Sequence, residues 1–343
     1  MGDRLREFSL GVSTVNQMRA KDLEISDPVL AQFIVDGLER TEKLLDVESV
    51  SMFDPLTEIS QHLLKAGGKR IRPVLVFIAG RYGQPDIERL AKVAAAIEFT
   101  HVATLYHDDV MDEAKVRRGV VSVNQRFGNY SAIMAGDFLF SRASALTAEL
   151  GPHAVSVMAQ TLATLCEGQI RETVGPEGED RVTHYLKVLS QKTASLIQTA
   201  ATLAAQVSHA DDLTVSALGA YAENVGIAFQ ISDDILDLKG NPDKSGKLLG
   251  TDLIEGVYTL PVLAALEKDR TGELEGLLSK IDEAGNGVSN AIDLIEKLDG
   301  FEVAQLQLEM FIDKATTALD PIPAGSEKEA LISFASWLTD RSS

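Results

Sequence analysis

Apolar side chains recur along most of this chain at intervals of three and four residues, the period of an amphipathic α-helix. The first such segment also carries helix start signals, because Asp27 can cap the helix and Pro28 suits its first turn. No convincing run of alternating apolar and polar residues predicts a strand. The pattern predicts helices over residues 27–46, 53–66, 86–112, 130–148, 152–172, 182–207, 211–238, 259–268, 272–282, 287–297, 302–318 and 327–339.

Glycine clusters fall between these segments, as expected of helix breakers. No shift in composition marks a domain boundary, so the pattern predicts an all-α, single-domain helical bundle over residues 21–343. Residues 1–20 are predicted to form a loose N-terminal segment. The predicted loops are residues 113–124, 174–180, 239–252 and 283–287.

Composition and charge narrow the functional classes. A chain of 343 residues with 45% hydrophobic residues can bury a large core. Its 51 acidic and 32 basic residues give a formal charge of −19, which argues against non-specific nucleic-acid binding. We find no uncharged apolar stretch of about 18 residues for a membrane span, and residues 1–20 lack the apolar core of a signal peptide. We therefore expect a soluble, cytoplasmic protein.

The chain contains one cysteine, Cys166, so no disulfide framework is possible. It lies among Leu162, Leu165 and Ile170 in the sequence. This setting predicts a buried, small apolar side chain rather than a nucleophile.

Two copies of one acidic pattern, Asp-Asp-x-x-Asp, carry the first chemical signal. In a helix, the first and last carboxylates of each copy lie one turn apart on the same face, while the middle one lies about 100° round. Like charges at that spacing repel each other, so the pattern indicates either a solvated acidic face or a bound cation. The copies consist of Asp108, Asp109 and Asp112, and of Asp233, Asp234 and Asp237.

A divalent metal ion is the simplest partner for these carboxylates. Oxygen ligands without Cys or paired His indicate a hard ion, and Mg²⁺ completes its shell with water and substrate phosphates. Basic clusters elsewhere suit a phosphate, although a Lys-Arg run taken singly is more often a solvated surface. Pro73 closes the first cluster and favours an extended conformation at Arg72. The clusters contain Lys69, Arg70 and Arg72; Arg117 and Arg118; Lys192; and Lys247.

Together these motifs resemble those of the trans-polyprenyl diphosphate synthases, and they occur in the order typical of that family. The resemblance spans residues 67 to 261, and the long-chain bacterial members are the most similar. The motifs that carry it are GGKRIRP (67–73), LYHDDVMD (105–112), RRG (117–119), NQRFG (124–128), AGDFL (135–139), KTA (192–194), FQISDDILD (229–237) and GTDL (250–253).

The resemblance implies an isoprenoid synthase fold, a helical bundle around a central active-site cavity, and usually a homodimer. It implies a prenyltransferase that joins an allylic diphosphate to isopentenyl diphosphate with several Mg²⁺ ions. By position, Asp108, Asp112 and Asp233 resemble the direct metal ligands. The other carboxylates of the two motifs, Asp109, Asp234 and Asp237, resemble residues that act through water or neighbouring ligands.

The same resemblance assigns residues to the substrates. Arg117, Lys192 and Lys247 match contacts to the allylic diphosphate, and Thr193 and Gln230 match residues near the developing carbocation. The isopentenyl diphosphate pocket is matched by Lys69, Arg72, His101 and Arg118.

Product length is set in the family by the residues four and five positions before the first acidic motif, here Thr104 and Ala103. Both are small, which either leaves a path for a growing hydrocarbon tail or serves close helix packing. We predict an all-trans product in the heptaprenyl to decaprenyl range, a precursor of a quinone side chain, which Ala103→Phe should shorten. The candidate tunnel floor, Met134, Phe138, Met158 and Leu162, could equally be ordinary core.

One departure from the pattern supports the long-chain interpretation. Short-chain members usually carry Gly-Lys before Thr-Leu-Pro, whereas this chain has Val257 and Tyr258 before that tripeptide. A farnesyl or geranylgeranyl diphosphate synthase remains the alternative within the family. Two rivals from outside this activity are a class I terpene cyclase, which normally lacks a second acidic motif, and a weakly catalytic partner subunit, which tends to lose both.

Overall fold

The computed structural model describes residues 25–240, 249–282 and 284–342. The predicted loose segment 1–20 lies outside the described residues. The α-helices are α1 (Pro28–Glu48), α2 (Asp54–Lys65), α3 (Ile71–Ala79), α4 (Ile87–Met111), α5 (Val123–Phe127), α6 (Asn129–Leu150), α7 (Pro152–Val174), α8 (Arg181–Val188), α9 (Ser195–Val207), α10 (Asp212–Lys239), α11 (Thr251–Ile254), α12 (Leu260–Lys268), α13 (Glu273–Leu278), α14 (Val288–Lys297), α15 (Gly300–Ala318) and α16 (Ser326–Ser342).

Side-chain caps define the starts of the long helices. The carboxylate of Asp27 accepts a hydrogen bond from the backbone N–H of Val29 at 2.8 Å, with Pro28 in the first turn of α1. Asp86 caps α4 and Asp211 caps α10 in the same way. Each cap binds backbone N–H groups that have no partner within the helix. The predicted starts of these three helices are therefore confirmed to within a residue or two.

Helix α4 lies at the centre of the fold and is buried on two sides. One side, with Leu90 and Ile97, belongs to the main core that α3, α9 and α10 also build. The other side, with Phe99 and Val102, packs into a second core formed with α2 and α6. Because buried residues lie on two sides of it, α4 is a core helix rather than an amphipathic surface helix.

The sequence missed α3. Its run from Ile71 to Ala79 is almost entirely buried, so no polar face gives it an amphipathic period. The prediction of an extended Arg72 before Pro73 was wrong, because Arg72 lies inside α3. Proline is tolerated in the first turn of a helix, where its missing N–H is not needed.

The short helices α5 and α11 were also missed, as were two irregular elements. A two-stranded antiparallel hairpin, β1 (Val116–Arg117) and β2 (Val120–Val121), occupies the predicted loop that follows the first acidic motif. The predicted helix 182–207 is divided, because residues Leu189–Ala194 form a π-helical segment between α8 and α9. Both irregular elements lie beside the site described below.

Two statements about exposure follow from the described residues. Cys166 is exposed on α7, so the prediction of a buried cysteine was wrong. Its apolar neighbour Ile170 is also exposed, at 63%, because both side chains lie on the outer side of α7. No helix within the described ranges is long and apolar enough to cross a membrane.

Candidate active site

Both acidic motifs lie near the C-terminal ends of core helices, the first on α4 and the second on α10. The C-terminal end of a helix carries a partial negative charge, which disfavours carboxylates. Asp112 itself is the C-cap of α4, and its backbone N–H donates to the carbonyl of Asp108 at 2.8 Å. Mutual repulsion and the helix dipoles therefore act in the same direction, and both favour a bound cation.

The first motif is half-buried, and this determines its protonation. Burial raises the pKa of Asp108 to about 6, against the lowering effect of Lys192, and the neighbouring carboxylate of Asp112 raises it further. Asp109 is fully buried, and its Oδ1 accepts a hydrogen bond from Arg117 Nε at 2.6 Å. Its second oxygen, Oδ2, is buried with no hydrogen-bond partner among the described residues.

The β1–β2 hairpin positions two arginines at this motif. Its turn residues, Arg118 and Gly119, have φ values of 52° and 76°, as a two-residue type I′ hairpin turn requires. Arg117 on one side of the turn pairs with Asp109. Arg118, within the turn, donates to the carbonyl oxygens of Leu63 at 3.1 Å and Gly67 at 2.6 Å. The short Arg-Arg-Gly motif therefore directs two cations to different parts of one site.

The second motif is held by a buried hydrogen-bond chain. The hydroxyl of Tyr185 donates to Asp234 Oδ2, and Gln230 Nε2 donates to Asp234 Oδ1 at 2.9 Å. Thr193 Oγ1 donates in turn to Gln230 Oε1 at 3.2 Å. Burial raises the pKa of Asp234 to about 7, while these two donors lower it.

The last carboxylate of the second motif, Asp237, binds backbone N–H groups at the start of a helix. Asp237 accepts hydrogen bonds from the backbone N–H groups of Thr251 at 3.3 Å and Asp252 at 3.2 Å. It therefore caps the first turn of α11, next to residues 241–248, which lie outside the described residues.

The π-helical segment carries Lys192 and Thr193 toward both motifs. Close contacts surround it, because a Cβ on Gly226 of α10 would lie 2.6 Å from the Cα of Ala194. A Cβ on Gly168 of α7 would lie 2.6 Å from the backbone nitrogen of Lys192. Lys192 forms an ion pair with Glu172 of α7. Single-turn π-helical segments inside α-helices occur frequently at functional sites.

A basic pocket adjoins the acidic motifs. Arg72, Arg118 and His101 act on one another electrostatically, and burial together with the surrounding arginines holds the pKa of His101 well below its ordinary value. Burial lowers the pKa of Arg72, and its Nε is buried without a hydrogen-bond partner among the described residues. The imidazole is therefore neutral at pH 7, and Nε of Arg72 has no acceptor among the described residues, with Glu98 within electrostatic reach. Such a pocket favours an anion.

Comparison with known proteins agrees with this chemistry. A sequence profile described as polyprenyl synthetase matches residues 54–295, well over half of the chain. This chain belongs to the polyprenyl synthetase family. Members of the family are prenyltransferases, so the predicted family, the helical isoprenoid synthase fold and the enzyme class are confirmed.

Three relatives illustrate the range of this family. The nonaprenyl diphosphate synthase of Mycobacterium tuberculosis is 41% identical over 323 residues, which cover 93% of this chain and 96% of the relative. Component 2 of the heptaprenyl diphosphate synthase of Geobacillus stearothermophilus is 37% identical, covering 90% and 97%. The geranylgeranyl pyrophosphate synthase of Corynebacterium glutamicum, solved with calcium and isoprenyl diphosphate, matches with a TM-score of 0.82 at 40% identity, covering 92% and 98%.

The synthase brings most of the predicted site residues together. Asp108 lies within electrostatic reach of Lys192 and Arg117, and Arg72 within reach of Asp233. Lys69 is exposed, with Nζ 6.0 Å from the ring centroid of Trp337 on α16. The predicted diphosphate contact Lys247 lies outside the described residues.

The predicted product-length residues face different surroundings. Thr104 is half-buried on the same side of α4 as Asp108, four residues along the helix. Ala103 has no accessible surface and belongs to the second core with α6. Among the candidate floor residues, Met158 is buried whereas Met134 is 41% exposed.

The acidic motifs form no closed metal cage. Among the described residues, no three His, Cys, Asp or Glu side chains lie close enough to hold an ion by themselves. Mg²⁺ suits such an open arrangement, because it takes one or two carboxylates and completes its shell with water and substrate phosphates.

Several residues of the site left no signal in the sequence. Tyr185 and Glu172 lie far along the chain from the groups that they bind, Asp234 and Lys192. Arg70, counted with the phosphate-binding cluster, instead donates to two carboxylates at 2.6 and 3.1 Å and is buried. Those carboxylates are Glu42 and Glu98. Contacts of this kind become visible only after the helices pack together.

Proposed function

We propose that this synthase joins an allylic diphosphate repeatedly to isopentenyl diphosphate and releases a medium- to long-chain all-trans polyprenyl diphosphate. The observation that carries the proposal is that a cluster of carboxylates lies next to a cluster of buried cations. The acidic motifs concentrate carboxylates that favour cations, while Arg72 has a buried N–H donor with no acceptor among the described residues. Two diphosphates with divalent metal would satisfy both.

The allylic diphosphate belongs between the two motifs. Arg117 and Lys192 would contact it. Arg117 is paired with Asp109 in the structure, and Lys192 is paired with Glu172. Metal held by Asp108, Asp112 and Asp233 would act as a Lewis acid on the leaving diphosphate. Positive charge aimed at the leaving group stabilises the transition state for ionisation.

Isopentenyl diphosphate belongs in the basic pocket. Arg72, Arg118 and Lys69 would contact its phosphates, and the neutral His101 can donate one hydrogen bond without adding charge. Its double bond then attacks the allylic carbon as the carbon–oxygen bond breaks. The departing diphosphate, rather than a protein side chain, takes the proton that is lost.

Product length is supported by two independent features. The relatives described above include nonaprenyl and heptaprenyl synthases. Ala103 and Thr104, ahead of the first motif, are too small to close the path of a tail. The geranylgeranyl synthase relative keeps a short product as the second candidate. We further propose a homodimer in the cytoplasm that supplies a quinone side chain.

The test is incubation of the purified full chain with Mg²⁺, farnesyl diphosphate and labelled isopentenyl diphosphate. We expect products of about 35 to 50 carbons, with Asp108→Asn as the inactive control. A 20-carbon product would support the short-chain alternative, and a cyclic hydrocarbon would overturn the proposal. Inactivity of the chain alone would point to a second component. Light scattering on the same sample should give twice the chain mass of 37.0 kDa.

A further inference from the structure

A chain of hydrogen bonds runs from the core of the synthase to the reaction site. It begins at Tyr185, which is 8% exposed, and passes through Asp234, which is 3% exposed. It continues from Asp234 to Gln230 at 2.9 Å and ends at Thr193 at 3.2 Å. The last two residues are half-buried. The order therefore runs from fixed, buried groups to groups that substrate can reach.

The chain fixes which way the Gln230 amide points. Asp234 accepts from the NH₂ group of Gln230 at 2.9 Å through one oxygen and from the Tyr185 hydroxyl through the other. The carbonyl oxygen must then face the opposite way, where the hydroxyl of Thr193 donates to it. In this orientation the amide oxygen of Gln230 and the hydroxyl of Thr193 lie next to each other at the end of the chain.

Tyr185 also lies close to a third helix. The backbone of Leu260, the first residue of α12, lies beside the tyrosine hydroxyl. The hydroxyl of Tyr185 on α8 is therefore placed between α10, where it donates to Asp234, and the start of α12.

We propose that Tyr185 is a positioning residue for the reaction. It acts through Asp234 to hold the oxygens of Gln230 and Thr193 toward the allylic carbon that loses diphosphate. Fixed dipoles that point their negative ends at a developing cation stabilise the transition state more than the ground state. This inference rests on the proposed function, because only ionisation of an allylic diphosphate places a cation there.

The variant Tyr185→Phe removes one hydroxyl and keeps the ring. We expect kcat to fall by roughly 10- to 100-fold, the usual effect of misplacing groups around a reacting centre. The KM for both diphosphates should stay within about twofold, since the lost interaction operates in the transition state.

Tyr221→Phe is the matched control. Tyr221 is equally buried on α10, and its hydroxyl donates to the carbonyl of Leu331 at 2.7 Å, away from both motifs. We expect this control to lower Tm while leaving kcat unchanged. Equal loss of kcat in both variants would overturn the proposal, because it would indicate general loosening of the fold.

A double-mutant cycle with Gln230→Leu tests whether Tyr185 acts through Gln230. In the Gln230→Leu background, Tyr185→Phe should change kcat by less than about twofold, because the group that it positions is absent. Full multiplication of the two single effects would overturn the proposal.

A final measurement needs neither substrate nor a variant. The side-chain amide protons of Gln230, observed by ¹⁵N NMR in the wild-type protein, should exchange with water far more slowly than those of an exposed glutamine. Exchange at the exposed rate would overturn the positioning chain. Because this readout is independent of turnover, failure of the proposed function and failure of the positioning role can be told apart.

Discussion

At the scale of single residues, the acidic motifs are governed by burial as much as by repulsion. The spacing of Asp108 and Asp112 predicts repulsion, and the structure adds desolvation as the larger cause of the raised pKa. Desolvation is also the largest cause at Asp234. A sequence shows which charges lie one turn apart, but it does not show how much water each one loses.

These shifts predict a pH dependence. A carboxyl with a raised pKa in the folded state binds more protons there than in the unfolded chain, so stability falls as pH rises. For the metal-free synthase, we expect the free energy of unfolding to fall as pH rises from 3.8, the ordinary pKa of Asp, to about 7. The raised pKa values of Asp108, about 6, and Asp234, about 7, set the upper end of this range. The helix caps Asp27 and Asp211 have lowered pKa values and titrate below this window.

Mg²⁺ should reverse the trend, because it binds only the ionised carboxylates. Differential scanning fluorimetry with and without Mg²⁺ should show a larger rise in Tm at pH 7.5 than at pH 5.5. The Asp108→Asn variant should lose much of the difference. An equal rise at both pH values would contradict the assignment of the metal to these groups.

At the scale of elements, the decisive feature is the π-helical segment Leu189–Ala194. Sequence periodicity predicted one continuous helix, because a single extra residue in a turn hardly disturbs the apolar pattern. Helices α7 and α10 approach this segment closely at Gly168 and Gly226. Those glycines let the segment lie deep enough for Lys192 and Thr193 to reach the acidic motifs.

Gly226→Ala should therefore disturb both stability and activity. Its Cβ would lie 2.6 Å from the backbone Cα of Ala194, so the two elements must separate. We expect the free energy of unfolding to fall by about 1–3 kcal/mol, as for overpacking elsewhere, and kcat to fall with it. Urea unfolding and steady-state kinetics measure the two effects.

Gly276→Ala supplies the matched control for that substitution. Gly276 also lies within a helix, α13, and a Cβ there would meet nothing within 4 Å. Alanine should be neutral or stabilise by up to about 1 kcal/mol. Equal destabilisation by both alanines would show that close approach to Ala194 is not the cause.

At the scale of the whole molecule, α4 carries the first acidic motif and also packs into the second core. Thr104 shares the side of Asp108, whereas Ala103 packs against α6 with no accessible surface. Sequence position alone treated the two residues as equivalent. Their surroundings distinguish them, because five residues along a helix correspond to a rotation of about 140°.

Phenylalanine should shorten the product from either position, with different effects on the fold. In Thr104→Phe the ring enters the cavity directly, and stability should be retained. In Ala103→Phe the ring cannot fit against α6 and must turn toward the cavity, at a cost of about 1–3 kcal/mol. Thin-layer chromatography of the products and thermal melts measure both effects. Thr104→Val, which keeps the volume, is the control, and an unchanged product in both phenylalanine variants would contradict the proposed tail path.

Much of this protein was predictable because its information is local. Caps such as Asp27, the apolar period and the spacing of the two acidic motifs depend only on residues within a few turns. The helical fold and the family followed from them. The sequence failed to predict α3, because a helix that is buried almost all round has no amphipathic pattern. It also failed to predict the role of Arg70, because the partners of this side chain, Glu42 and Glu98, lie far along the chain.

The sequence by itself determined that this chain is an all-helical enzyme with two carboxylate motifs and the cations to match a diphosphate. Only the tertiary structure decided which of those groups are desolvated, which are paired and which are held for chemistry. Tyr185 on α8 and Asp234 on α10 meet because the helices pack. Burial of this contact strengthens the hydrogen bond between them. The sequence gives the chemical type of each side chain, whereas its dielectric environment and its orientation depend on how the elements pack.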